Sequence, residues 1–348
     1  VGTTYKGLPG DVNPGDLLLI DDGKVTLEAT EVTDTDVRTV VRVPGTVSNN
    51  KGINLPGVAV SVPALSEKDK EDLRWALRLR ADMIALSFVR SASDLDDVYE
   101  VMDEVGVRLP VIAKIEKPQA VDNLQQIIAA FDGVMVARGD LGVELPLEEV
   151  PIVQKRAIEL ARRQAKPVIV ATQVLESMIE NPRPTRAEAS DAANAVLDGA
   201  DALMLSGETS VGAHPIEAVR TMARIIESTE EHGLERIPPL GTKPHTMGGA
   251  VSAAAVEIGE LLGAKYLITF SQSGDTAKRM SRVRPRIPML AFTPEQHTRS
   301  RLALAWGIET FLVPMARHTD QMARQVDLTL LANGRAVEGD LVVIVAGS

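Results

Sequence analysis

Val111-Ile112-Ala113-Lys114-Ile115-Glu116-Lys117 is a short apolar run that breaks into charge at its C-terminal end. Three later stretches repeat the pattern: Val134-Met135-Val136-Ala137-Arg138-Gly139-Asp140-Leu141-Gly142, Val168-Ile169-Val170-Ala171-Thr172-Gln173 and Leu203-Met204-Leu205-Ser206-Gly207-Glu208. In a parallel α/β barrel the C-terminal strand ends share one face, and active sites sit there. Lys114 and Glu116 are two residues apart, so on a strand they project to the same side. One cation, two carboxylates (Glu116 and Asp140) and the Thr172 hydroxyl in one pocket suit a divalent metal and an anionic, phosphorylated substrate.

Working outward, residues 61–235 alternate strand and helix. The patterns predict strands over 83–88, 111–116, 134–137, 168–171 and 202–205, with helices over 95–104, 123–130, 152–164, 187–197 and 216–230. Ser66, followed by Glu67 and Asp69, reads as a helix N-cap with acidic residues in the first turn. Near-continuous apolar strands between helices indicate a parallel sheet covered on both faces. Upstream, residues 1–60 read as a small antiparallel β domain, with strands at 17–20, 24–30 and 37–43 and many Pro and Gly breaks. Pro238, Pro239, Gly241 and Pro244 mark another break. Beyond it, 236–348 form a second α/β unit with strands at 266–270, 289–293, 310–313 and 341–345. The barrel-like region shows five βα units where a closed barrel needs eight, and the sequence stops just after the apolar strand 341–345, so the reading expects missing sequence at the front and at the back.

Composition narrows the function. Aromatics are 3% of the 348 residues, so Val, Ile, Leu, Ala and Met must build the core. No apolar run approaches the ~20 residues of a membrane span, and the N-terminus lacks signal-peptide regions. The absence of cysteine excludes disulfides, thiolate metal sites and cysteine nucleophiles, and fits a cytoplasmic protein. A net charge of −11 argues against nucleic-acid and anionic-membrane partners. An anionic substrate must then be held by local cations and a metal.

Six motifs in order resemble pyruvate kinase of the bacterial type. They are Ser87-Phe88-Val89-Arg90, Ala113-Lys114-Ile115-Glu116-Lys117, Ala137-Arg138-Gly139-Asp140-Leu141-Gly142, Ala171-Thr172-Gln173, Asn181-Pro182-Arg183-Pro184-Thr185-Arg186-Ala187-Glu188 and Leu205-Ser206-Gly207-Glu208-Thr209. The resemblance implies a (β/α)8 TIM barrel, of which strands four to eight are in this sequence. An inserted β lid (1–60) and a C-terminal α/β regulatory domain (236–348) would flank the barrel part (61–235). It also implies phosphoryl transfer from phosphoenolpyruvate to ADP, giving pyruvate and ATP in glycolysis. The first three barrel strands would carry an arginine for the substrate phosphate and the ligands of K+, all outside this sequence.

The resemblance assigns roles residue by residue, and each has a plainer reading. Glu116 and Asp140 become ligands of Mg²⁺ or Mn²⁺, against a solvated or salt-bridged pair. Lys114 becomes the cation that stabilises the phosphoryl group, compatible with a salt bridge to Glu116 in the empty site. Thr172 and the backbone N–H groups of Gly139 and Asp140 would hold the substrate carboxylate, against a strand-ending turn with a capping threonine. Ser87 and Arg90 would line the site, against a structural role for Arg90. Asp22 and Lys51 would approach the nucleotide phosphates when the lid closes, against solvated turn charges. Ser271, Ser273, Gly274 and Thr276 would take a phosphate of an allosteric effector, against plain helix capping; the charge of Asp275 opposes that. The five histidines show no metal spacing, and Trp75 and Trp306 read as packing residues in helical stretches. The family implies a homotetramer, with the 181–188 loop near a subunit contact. Two rivals are a barrel lyase or aldolase acting on pyruvate-like enolates, which the lid and C-terminal domain oppose, and a non-catalytic fragment or regulatory module binding phosphometabolites.

Overall fold

The computed structural model describes residues 1–21, 23–58 and 65–346. It contains three sheets. After a short helix, α1 (Leu8–Asp11), come β1 (Leu17–Ile20), β2 (Val25–Val32), β3 (Val37–Val43) and β4 (Ile53–Asn54). These pair antiparallel in the order β3-β2-β1-β4, with Leu18 opposite Leu27 and Ile20 opposite Ile53. Leu8, Val12, Leu18, Ala29 and Leu55 close a small core beneath them. The β1–β2 turn uses Asp21 at φ +52° and Gly23 at φ +84°. Asp22, a predicted lid residue, lies outside the described residues.

The middle sheet is entered through α2 (Glu67–Arg78). The Ser66 hydroxyl accepts from the Asp69 N–H, and the Asp69 carboxylate accepts from the Ser66 N–H, so the predicted cap is a full capping box. There follow β5 (Ile84–Leu86), α3 (Asp94–Val105), β6 (Val111–Ile115), α4 (Pro118–Asp122), α5 (Leu124–Ala130), β7 (Gly133–Ala137), α6 (Arg138–Glu144), α7 (Val150–Arg163), β8 (Val168–Ala171), α8 (Arg186–Asp198), β9 (Ala202–Met204), α9 (Gly207–Ser210) and α10 (Pro215–Gly233). The strand order is β5-β6-β7-β8-β9, sequence order throughout. Ile84 pairs parallel with Val111, and Ile112 with Gly133. Every residue of β6 and β7 is buried except Lys114, as a sheet with both faces covered requires. β5 is shorter than the predicted 83–88, because Phe88 takes a left-handed conformation (φ +56°) and turns the chain away.

The last sheet is built from α11 (Met247–Leu262), β10 (Tyr266–Phe270), α12 (Asp275–Ser281), β11 (Met289–Thr293), α13 (Gln296–Leu302), β12 (Ile308–Leu312), α14 (Thr319–Ala332) and β13 (Val342–Ala346). All its pairs are parallel, in the order β12-β11-β10-β13. Ala255 and Val256 of α11 join one core cluster against it, and Val326 and Leu330 of α14 another. β12 begins two residues before the predicted 310–313, because Gly307 at φ +66° turns the chain into it.

The tryptophans divide: Trp75 departs from the packing reading, whereas Trp306 packs against the core of the last sheet as expected, though not from a helix. Trp75 on α2 is 64% exposed, so it is no packing residue. Trp306 lies in a turn, where its indole N–H donates to Glu230 Oε1 at 2.6 Å and the Arg284 guanidinium stacks 5.0 Å from its ring.

By contact density the chain divides into two compact units, Val1–Ala157 with Ala171–Gln173, and Ile158–Val170 with Val174–Ser348. Among the described residues, no helix is long and apolar enough to cross a membrane.

Candidate active site

The end of β6 delivers Lys114 and Glu116 to one side, as the two-residue spacing requires. Lys114 Nζ lies 2.6 Å from Glu116 Oε1 and donates to Ser87 Oγ at 3.1 Å. Glu116 is 1% exposed. Its Oε2 accepts the Phe88 N–H at 2.7 Å, which is what the left-handed turn at Phe88 achieves. Oε1 is in ion-pair contact, but the approach of Lys114 lacks hydrogen-bond geometry, so this buried oxygen has no hydrogen-bond donor among the described residues. A buried anionic oxygen that keeps a lone pair open suits a hard cation. Among the described residues, no group of three or more His, Cys, Asp or Glu is arranged to hold a metal. Two carboxylates fit Mg²⁺ nonetheless, because that ion keeps several waters and takes substrate oxygens.

The register Ile115↔Val136 sets the end of β7 beside that of β6. There Arg138, Gly139 and Asp140 open α6, and Asp140, half-buried in the first turn, is a carboxylate at the favourable end of the helix. Thr172 and Gln173 both have left-handed backbones (φ +66° and +52°). Such residues cost of order 1–3 kcal/mol each, and for a β-branched residue this is a genuine outlier. Contacts hold the turn. Thr172 Oγ1 donates to Ala171 O at 2.7 Å and accepts the Gly139 N–H at 2.7 Å. Arg138 Nη2 donates to Thr172 O at 2.9 Å and Gln173 O at 3.3 Å. The sequence reading has the Gly139 N–H open for a substrate carboxylate. Here it is engaged, because the left-handed turn swings the threonine hydroxyl onto it. The glycine eases this approach: a Cβ there would stand 3.3 Å from Thr172 Oγ1, tight enough that the threonine would have to give way slightly.

Other predicted residues fall differently. Arg90 takes part through its main chain, its N–H donating to Asp94 Oδ2 at 2.6 Å and its carbonyl accepting from Asn123 Nδ2 at 2.9 Å. Lys51 Nζ is 2.9 Å from Asp21 Oδ1, and the ammonium groups of Lys51 and Lys24 hold the Asp21 carboxyl below its usual range. Glu208 is a buried anchor that accepts the N–H groups of Leu175 at 3.1 Å and Ser206 at 2.7 Å. In the 271–276 loop, Gly274 has φ +82° and donates its N–H to Ser271 Oγ at 2.9 Å, while the Asp275 N–H reaches Ser273 Oγ at 3.4 Å. Thr276 is half-buried. The Asp275 carboxylate pairs back onto its own helix, 3.1 Å from Arg279 and 3.4 Å from Lys278. Burial works to raise its pKa, but these cations outweigh burial and lower it.

Sequence reading missed a second ion pair, between half-buried Lys117 and buried Glu144. Lys117 Nζ lies 2.6 Å from Glu144 Oε1, whose side chain is 3% exposed, and Asn54 Nδ2 of β4 donates to the same oxygen at 3.4 Å. Lys117 also sits 5.5 Å from the Phe88 ring. No local signal links residues so far apart; the only hint was a second lysine beside Glu116.

The pyruvate kinase barrel-domain family matches residues 1–219, and the pyruvate kinase alpha/beta-domain family matches residues 249–348. A pyruvate kinase of Mycobacterium intracellulare is 63% identical over all 348 residues, which span 74% of its length. One of Corynebacterium glutamicum is 60% identical, with 73% of its length spanned. The crystal structure of a pyruvate kinase from Cryptosporidium parvum superposes with a TM-score of 0.90 at 35% identity, covering 99% of this chain and 72% of that one. The chain thus spans about three quarters of the length of these relatives, and it belongs to the pyruvate kinase family.

Proposed function

We propose that Lys114, Glu116, Asp140, Gly139 and Thr172 carry the family reaction in this chain, phosphoryl transfer from phosphoenolpyruvate to ADP. The observation that carries it is the buried Glu116 oxygen that has no hydrogen-bond donor among the described residues, next to the Lys114 ammonium. Glu116 and Asp140 would hold Mg²⁺ or Mn²⁺, which when bound neutralises charge on substrate oxygens. Lys114 stabilises negative charge on the phosphoryl group in flight, the main service a protein can offer this reaction. Ser87 fixes the ammonium. The Thr172 hydroxyl and the Gly139 amide, held 2.7 Å apart in this structure, reorient to the substrate carboxylate. The enolate left after transfer takes a proton to give pyruvate.

We read residues 1–60 as the lid, with Lys51 and Asp22 turning toward the nucleotide phosphates, residues 61–235 as part of the barrel and 236–348 as the regulatory domain. Lys51 would exchange Asp21 for phosphate on closure, which excludes water. Ser271, Ser273, Gly274 and Thr276 would take an effector phosphate, an assignment supported by Asp275 being tied to Lys278 and Arg279. K+ is a further cofactor of this reading. A homotetramer is supported by exposed apolar side chains such as Ile152, Ile216 and Val219. Cytoplasmic residence fits a chain without cysteine.

The test is pyruvate formation followed in a coupled assay. The reading expects strict dependence on phosphoenolpyruvate, ADP and Mg²⁺ together. Pyruvate release that persists without ADP would replace it with simple hydrolysis.

A further inference from the structure

We propose that Arg138 is a positioning residue for phosphoryl transfer, acting through the left-handed turn at Thr172 and Gln173. The inference rests on the reading of Thr172 as a substrate-orienting group. Two consecutive non-glycine residues with positive φ persist only where surroundings over-determine them. Arg138 supplies that determination. One nitrogen, Nη2, donates to both carbonyls of the turn, at 2.9 and 3.3 Å, while Nη1 reaches the buried Gln154 Oε1 at 3.4 Å. The next residue, Gly139, gives its N–H to the Thr172 hydroxyl at 2.7 Å.

The two contacts form a clasp. The side chain of Arg138 grips the carbonyl side of the turn, and the backbone one residue on grips the hydroxyl side. Thr172 is thereby registered against the 138–140 segment, which also carries Asp140. If the turn relaxed to an ordinary φ, the hydroxyl would leave Gly139, and the two groups would no longer lie side by side where both can turn to one substrate carboxylate. A planar guanidinium can serve two carbonyls and a glutamine amide together; a lysine ammonium is a single point that cannot keep this fork. Arg138 needs no contact with substrate for this role, and Thr172 transmits its effect.

The experiment is a double-mutant cycle on the enzyme, using Arg138→Lys, Arg138→Ala, Thr172→Ala and the two double variants. kcat and KM are measured separately for phosphoenolpyruvate and ADP, and thermal melting checks the fold. We expect Arg138→Lys to lower kcat/KM for phosphoenolpyruvate ~10- to 100-fold, as displacement of a reacting geometry does. KM for ADP should stay within about twofold, and guanidinium ion should restore part of the Arg138→Ala loss. In the Thr172→Ala background, the same arginine changes should cost less than about threefold, because the residue they act through is gone. Equal losses in both backgrounds would overturn the role of Arg138 while leaving that of Thr172 standing. A Thr172→Ala enzyme with wild-type kinetics would instead overturn the reading of Thr172. If Arg138→Ala fails to fold, the milder Arg138→Lys carries the cycle, and its loss of phosphoenolpyruvate kinetics with an unchanged melting temperature separates positioning from mere support.

Discussion

Lys114→Met is the most direct probe of the site. Methionine keeps the apolar stem and approximate volume, so packing changes little. At 2.6 Å and an effective dielectric constant of 20, the gross attraction between Lys114 and Glu116 is roughly 6 kcal/mol, most of it cancelled by desolvation. Glu116 keeps the Phe88 N–H on Oε2 but loses the cation that lies 2.6 Å from Oε1. Stranding one partner of a fully buried pair costs about 3–5 kcal/mol; with Lys114 24% exposed, we expect less, about 2 kcal/mol. A metal on Glu116 would offset this, so Mn²⁺ should raise the melting temperature of the variant more than that of the wild type. For catalysis, loss of a preorganised charge stabiliser should lower kcat by roughly 10²–10³, or about 2.7–4 kcal/mol. The coupled pyruvate assay reads the rate, and Mn²⁺ titration by electron paramagnetic resonance reads metal binding, which should stay largely intact. Turnover within tenfold of wild type would refute the role of Lys114. A stability loss that Mn²⁺ leaves untouched would refute the placement of the metal on Glu116.

Glu116→Gln, nearly isosteric, should weaken Mn²⁺ binding by about tenfold or more in the same titration, since a neutral amide is a poorer ligand for a hard cation. Gly139→Ala should raise KM for phosphoenolpyruvate by roughly tenfold with the fold retained, because its Cβ would press on Thr172 Oγ1 at 3.3 Å; unchanged kinetics would show that this approach is dispensable. Glu188 gives a pH prediction. Burial acts to raise its pKa, but hydrogen bonds from Ser177 and Thr185, at 2.5–2.9 Å, outweigh it, and the value lies below the usual 4.5. A lowered folded pKa means stabilisation that is present above the unfolded value and lost as pH falls through the folded one. Glu188→Gln should therefore melt lower than wild type at pH 7, and the gap should narrow as pH falls below the usual carboxyl range; a gap constant with pH would contradict the assignment.

Much of the architecture follows from local pattern. The apolar runs at 111–115 and 168–171 are strands because continuous β-branched and aliphatic residues suit a sheet covered on both faces. Ser66 and Thr185 start helices because each has an acidic residue three positions on to complete a capping box. Lys114 and Glu116 meet because strand geometry repeats every two residues. These effects act within a few residues, so the chain by itself determined the order of elements, the strand ends that carry the candidate site residues and the same-side placement of the lysine and glutamate.

Partner choice across long separations was another matter. Phe88 looked like the tail of a strand, yet its amide is needed by Glu116, 28 residues on, and β5 stops early to supply it. Threonine disfavours a positive φ, so nothing local predicts the conformation of Thr172; the Arg138 and Gly139 contacts impose it. Lys117 found Glu144, and Trp306 found Glu230 from a turn rather than a helix. Which hydrogen-bonding group a buried residue meets depends on how strands and helices stack. That stacking maximises burial over the whole chain, and the tertiary structure alone decided these pairings and the strained turn that shapes the site.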